Sequence, residues 1–333
     1  MDPDVDLHTL VIGREAMACR FELVFNTGEV PQATELAVSA LDLIDEIESR
    51  ITIYRDTSEL AFLNATAANG WQKVTPDLFE LLMHARTIFE LTGGAFDVAT
   101  GSLVRCWGFL QRQGRTPSAE QLLQARATAG MQLVELDRST QRIRLSRPGV
   151  ELNLGAIGKG WALDCVIDKL QREGVASVLV HGGSSSVRAI GIQGPDTPGR
   201  RGWRVGVRHP LRPGKRLATI TLENMALGTS GSGTQFFIER GKKLGHILDP
   251  RSGRPVEGVL SATVVAPSAA DADALSTALY TLGPAGLDRV APQDGPVRAM
   301  LVIPSRDSHA VRVLTANMNQ SVLSIEPAEG IEY

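Results

Sequence analysis

The spacing of apolar and polar positions divides the chain into helical and strand-like pieces that follow no regular rhythm. Residues 31–50 carry Leu36, Ala40, Leu41, Ile44 and Ile47 at helical spacing, with Pro31 suited to a first turn. A second amphipathic helix over 75–91 places Leu78, Leu81, Leu82, Ala85 and Ile88 on one face and stops at Gly93-Gly94. Ser118 and Gln121 form a capping box that opens a helix reaching about Ala129. Another helix, after Gly160, turns Ala162, Val166, Ile167 and Leu170 inward and ends near Gly174. Strand-like runs fall at 10–12, 21–25, 132–136, 142–145, 176–181, 218–222, 236–239, 298–303 and 310–314. The stretch 193–216, rich in Gly, Pro and Arg, reads as a long hairpin excursion around a short strand at 203–208. Residues 316–333 read as a C-terminal tail, leaving a core of about 9–315 as one unit or two lobes. This mixture predicts an α+β fold, with mixed sheets and packed helices.

One stretch stands apart, 246–283. His246-Ile-Leu-Asp-Pro250 with Gly253 and Pro255 is a turn, because Pro and Gly stop helices and central strands. The β-branched run 261–266 predicts a buried strand. An alanine-rich helix follows, with Leu275 and Leu279 on one face and Gly283-Pro284 at its end. Asp273 and Thr277 are four apart and project from one helix face. A carboxylate and a hydroxyl so placed are hard oxygen ligands for Mg2+. The same spacing also suits a solvated Asp and a Thr bonded back to its own helix.

Composition narrows the classes. The chain has 333 residues, 43% hydrophobic and 21% charged, with a net charge of -3. That is ordinary globular composition, and the acidic balance argues against a nucleic-acid partner. Cys19, Cys106 and Cys165 are dispersed and form no CxxC, so they suggest neither zinc nor a disulfide framework. No run is long and apolar enough for a membrane span. The acidic N-terminus lacks the basic and apolar regions of a signal peptide. As written the chain reads as soluble and cytoplasmic, or as periplasmic or membrane-anchored if a leader has been removed.

Several glycine-bearing segments then share one chemistry. Leu154-Gly155-Ala-Ile-Gly158-Lys159-Gly160-Trp161 reads as a strand-to-helix turn that can cradle a phosphate on backbone N–H groups, with Lys159 adding charge. It is neither a Walker A loop nor GxGxxG; a plain tight turn with a solvated Lys is the alternative. Residues 228–234 read as a polar loop able to wrap phosphate or ribose, or as a plain hairpin loop. Ala95-Phe96-Asp97, with Trp107 nearby, suits a ligand loop. Tyr54 sits where an aromatic either stacks on a flat ligand or covers the core. Together these segments describe a nucleotide or dinucleotide site with Mg2+.

The same residues resemble a family, the FAD:protein FMN transferases, known as the ApbE family and formerly linked to thiamine biosynthesis. The carriers are Ser49-Arg-Ile-Thr-Ile-Tyr54 with Ser58-Glu59-Leu60 and Asn64; Gly94-Ala-Phe-Asp97 with Gly101 and Trp107-Gly-Phe109; Asn153-Leu-Gly155 with Gly158-Lys159-Gly160-Trp161; Thr229-Ser230-Gly231; His246-Ile-Leu-Asp-Pro250; and Ala272-Asp273-Ala-Leu-Ser276-Thr277. Each motif is modest, but six in register are specific. The resemblance implies a T-fold-like architecture and Mg2+-dependent transfer of the FMN half of FAD to a Thr or Ser hydroxyl of a target flavoprotein, releasing AMP. It implies FAD contacts at Met17, Tyr54, Ala95, Phe96, Asp97, Gly155, Trp161 and Ile247, with Lys159 in the phosphate cradle. It implies metal ligation by Asp273, Ser276, Thr277 and the Gly158 carbonyl, whose own N–H would be left free to face the cofactor. His246 and Asp273 are the candidate catalytic residues, His246 either taking the acceptor proton or only shaping the turn. Related readings are a metal-dependent FAD pyrophosphatase and a non-catalytic FAD-binding protein; Asn64, in a loop where members differ between these outcomes, favours catalysis. The chain departs from the family pattern at Ala18-Cys19, at Ser184 and at Gly233-Thr234.

Overall fold

A computed structural model describes residues 8–111, 113–195, 201–231, 233, 235–305, 310–326 and 331–332. The centre is a nine-stranded sheet. Its spatial order is Thr9–Ala16, Cys19–Asn26, Val178–Gly182, Ser186–Ile190, Ala226–Gly231, Ser261–Ala266, Arg298–Pro304, Val311–Ala316 and Ile331–Glu332. Neighbours are antiparallel except the last pair. The first two strands form a tight hairpin turned at Met17 and Ala18, both at positive φ as a two-residue turn of this kind requires.

Both faces of the sheet are covered, which explains its apolar runs. On one face lie the helices Ala33–Ile51, Gly158–Arg172 and Ala269–Leu282. Along Ser261–Ala266 the pleat sends Ala262, Val264 and Ala266 to the helices and Val265 to the opposite side. That opposite side packs on a three-stranded sheet ordered Leu323–Ile325, Arg212–Leu222, Trp203–His209, with Trp203, Leu217 and Ile220 in the shared core. A third, smaller cluster of Leu103, Trp107, Phe109, Leu122 and Leu248 lies apart from both.

The amphipathic helices form as their spacing predicts. Pro76–Thr92 ends on Gly93 in the left-handed region, and Ser118 caps Ala119–Ala127 in a complete capping box. Other expectations need correction. Residues 226–231 are a strand between two others, not a loop; of the expected loop 228–234, Ser232 and Thr234 lie outside the described residues. Residues 151–154 form no strand; their backbone instead bonds the 98–101 segment through Asn153 N–H to the Val98 carbonyl at 2.7 Å. The excursion over 193–216 becomes the long antiparallel pair Trp203–His209 and Arg212–Leu222, while 196–200 lie outside the described residues. The supposed tail supplies two paired strands, Leu323–Ile325 and Ile331–Glu332, each hydrogen-bonded to a sheet it helps complete. Residues 1–7, the acidic N-terminus, lie outside the described residues. No helix among the described residues is long and apolar enough to cross a membrane.

Candidate active site

The predicted strand and helix of 261–282 meet the Gly-rich turn of 155–160 at the end of the central sheet. Two glycines allow this. A Cβ on Gly160 would lie 2.0 Å from the Ala269 carbonyl oxygen, and one on Gly228 would lie 2.3 Å from that of Ala272. Only glycine lets helix 158–172 and strand 226–231 approach the backbone of helix 269–282 this closely. The start of that helix is held by Ser268 at the N-cap and by Asp164, which accepts from the Ala269 and Ala270 N–H groups at 2.8 and 2.9 Å.

This packing fixes Asp273 in a nearly dry place, 6% exposed. Its carboxylate accepts from the Gly160 N–H at 2.8 Å and lies 3.7 Å from Lys159 Nζ. Burial pushes its pKa upward, opposed first by the Lys159 charge. The solvated alternative for this residue is therefore excluded. Lys159 is not solvated either: its ammonium donates to the Ser186 and Ser185 hydroxyls at 2.7 and 3.0 Å. Thr277 does bond back to the Asp273 carbonyl, at 3.2 Å, as does Ser276 at 2.9 Å. Ser230, on strand Ala226–Gly231, joins them at 2.9 Å from Ser276 Oγ and 3.0 Å from Thr277 Oγ1.

Lys159, Ser185, Ser230, Asp273, Ser276 and Thr277 line a cleft of about 430 Å³. Its other walls include Tyr54, Ala95, Phe96, Asp97, Gly155, His246 and Ile247. Tyr54 is 70% exposed at the cleft, so it does not cover the core. The 95–99 segment borders the cleft but is otherwise buried: Phe96 is 1% exposed and packs in the main core. Both Asp97 oxygens are occupied, by the Ala99 N–H at 2.7 Å and the Met131 N–H at 2.9 Å. Burial raises the Asp97 pKa to about 6 against those two bonds.

His246 is positioned by the residue before the hairpin Phe236–Glu239/Lys242–Gly245. Its Nδ1 lies 3.1 Å from the Gln235 carbonyl, and Phe109 meets its ring edge-on. A carbonyl only accepts, so Nδ1 carries the proton and Nε2 keeps its lone pair in the neutral ring. Burial lowers the His246 pKa below its ordinary value, and the Lys159 charge adds to this. The ring thus bonds backbone and is also shaped as a proton acceptor.

Three sequence candidates do not line the cleft. Met17 is in the hairpin turn, with its N–H on Glu48 at 2.8 Å. Trp161 packs partly buried against the main core. Gly158 is buried at the start of its helix, and its N–H is not free: it donates to the Leu154 carbonyl at 2.7 Å. Asn64 lies in helix Glu59–Thr66, and its amide is spent on the Leu152 backbone through bonds of 2.7 and 3.0 Å. Ser185 and Gln235 line the cleft without having been singled out; each is an ordinary polar residue whose role comes from its neighbours.

Fold and site together define an α+β protein whose cleft sets a lysine and an all-oxygen cluster against a histidine, a layout suited to a phosphate-rich ligand. A model described as the ApbE family matches residues 17–301. An FAD:protein FMN transferase of Haemophilus influenzae is 32% identical over 250 residues, covering 72% of this chain and 70% of that protein. The FAD:protein FMN transferase of Escherichia coli is 31% identical over 261 residues, covering 77% and 72%. The apo crystal structure of Pseudomonas stutzeri flavinyl transferase ApbE superposes with a TM-score of 0.80 at 28% identity, over 93% of this chain and 95% of that one. The chain belongs to the ApbE family.

Proposed function

We propose that this chain is an FAD:protein FMN transferase that moves the FMN moiety of FAD onto a Thr or Ser hydroxyl of a target flavoprotein and releases AMP. The observation that carries the reading is the convergence of Asp273, Lys159 and three hydroxyls on the same cleft as His246. Attack at the FMN phosphorus forms one P–O bond to the acceptor and breaks the P–O bond to AMP. Negative charge grows on the phosphate oxygens, and the Lys159 ammonium is placed to meet it. The lone pair on His246 Nε2 takes the proton of the incoming hydroxyl. The exposed Tyr54 ring and the apolar side chain of Ile247 offer surfaces for the flat flavin or adenine.

No group of three or more His, Cys, Asp or Glu side chains suited to a metal occurs among the described residues. The donors present are one carboxylate and several hydroxyls, a hard oxygen set that suits Mg2+, which takes few protein ligands beside substrate phosphates. Asp273, Ser276 and Thr277 would hold it, and when bound it neutralises phosphate charge. Gly158 enters this set only through its carbonyl.

Incubation with FAD, a Mg2+ salt and a purified flavoprotein domain bearing an acceptor Thr tests the reading. The expected product is acceptor that retains yellow colour after denaturation, with one AMP released per flavin. Free FMN and AMP with unlabelled acceptor would instead make the chain a pyrophosphatase, and FAD left intact would make it a binding protein.

A further inference from the structure

The transferase reaction needs a macromolecular nucleophile, and one element at the cleft carries large exposed apolar side chains on one face. We propose that the outward face of the hairpin Phe236–Glu239/Lys242–Gly245 docks the acceptor segment of the target flavoprotein; this rests on the transferase reading. The hairpin is rooted in the cleft, because Gln235 precedes its first strand and His246 follows its second, and both line the cleft. Any hydroxyl delivered to His246 Nε2 arrives beside that root. At about 3.3 Å of rise per residue, Ile238 stands roughly 10 Å from Gln235. The hairpin therefore spans the positions two to four residues away from an acceptor Thr held in extended chain.

The two faces of the hairpin differ. Phe237 points inward, its ring 5.8 Å from that of Phe109 and 6.3 Å from that of Trp107. Phe236 and Ile238 point the other way and are 44% and 68% exposed. Lys243 is paired with Ile238 in register and sets its ammonium 4.1 Å from the Phe236 ring. Lys242, by contrast, is spent on Glu257 at 2.7 Å. Adjacent large exposed apolar groups on one strand face are a mark of an interaction site. Lys243 puts a positive charge on this face of a chain whose net charge is -3. The chemistry that fits is an extended acceptor segment with apolar side chains near its Thr and a carboxylate within reach of Lys243.

The test uses the full chain and a recombinant flavoprotein domain carrying an acceptor Thr, with steady-state labelling measured against acceptor concentration. The F236S/I238S double variant should raise KM for the acceptor about tenfold, the range of losing an interfacial aromatic anchor, with kcat within about twofold. FAD affinity, read from flavin fluorescence, should stay unchanged, which also shows that the variant is folded. Lys243→Glu should raise KM and flatten its dependence on salt. An unchanged KM in the double variant, beside an active unsubstituted chain, overturns the docking surface. Loss of a dimer in that variant with KM unchanged overturns it too and assigns the face to a second copy. An unsubstituted chain that turns over FAD but labels nothing overturns transfer and docking together.

Discussion

The two ends of the cleft are built on opposite principles. At the inner end, backbone meets backbone: Gly160 and Gly228 lie so close to helix 269–282 that no side chain fits between them. Asp273 is held there by a backbone N–H and by Lys159, with almost no water. At the outer end, His246 is held by one carbonyl, and the hairpin before it rests on aromatic side chains. An end built from backbone fixes a charge in one place and tolerates little change. An end built from side chains can be altered piece by piece, which suits the docking proposed there. Inner substitutions should therefore strike the chemistry at phosphorus, and outer ones the delivery and deprotonation of the acceptor.

The largest effect is expected at the inner end. Asp273→Ala should lower FAD turnover by about 10³-fold or more, the upper range for loss of one preorganised electrostatic group. Chromatography of FAD, FMN and AMP measures it, and excess EDTA on the unsubstituted chain should produce the same loss. Turnover that survives both treatments would remove the metal from the reading. At the outer end, His246→Ala should cost about 10²-fold in transfer, the lower range for a general base. The pH profile sharpens the contrast. Burial and Lys159 both hold the imidazole neutral, so its folded pKa lies below the ordinary 6.5. The rate should persist as pH falls past 6.5 and drop only through the depressed value. A break at or above pH 6.5 would refute the buried-base geometry.

The same contrast explains what was legible in the sequence. The strand 261–266 and the Asp273–Thr277 face were readable because local spacing sets them. The Ser118 capping box and the Gly93 stop were readable for the same reason. Strand 226–231 was not. Its Gly228, Ser230 and Gly231 look like loop residues, and the demand for glycine comes from Ala272, which is remote in sequence. Of the aromatics the resemblance implies at the flavin, Phe96 borders the cleft from within the main core, while Trp161 packs against that core and does not line the cleft, an arrangement set by contacts remote in sequence. The strands at 323–325 and 331–332 are short, and their pairing with 212–222 and 311–316 supplies the order that their own residues do not. Most of the residues the resemblance implies line one cleft, and packing decides which of them face it.

The smallest effect concerns a carboxylate two residues from Asp273. Asp271 lies on the same helix but pairs with His84 at 2.7 Å, where both side chains are partly exposed. The hydrogen bond to Asp271 raises the His84 pKa against a burial cost. A raised histidine stabilises the fold while protonated, so its contribution is full below pH 6.5 and fades as pH rises through the raised value. Water screens the pair, which limits it to under about 1 kcal/mol. His84→Gln should thus lower Tm by about 2 °C or less at pH 5.5 and by nothing measurable at pH 9, with FAD turnover unchanged. A Tm loss of the same size at both pH values would show that His84 acts by packing rather than by charge. A large loss of turnover would show that the outer turn of the helix also sets Asp273, and the separation of the two carboxylates would fail.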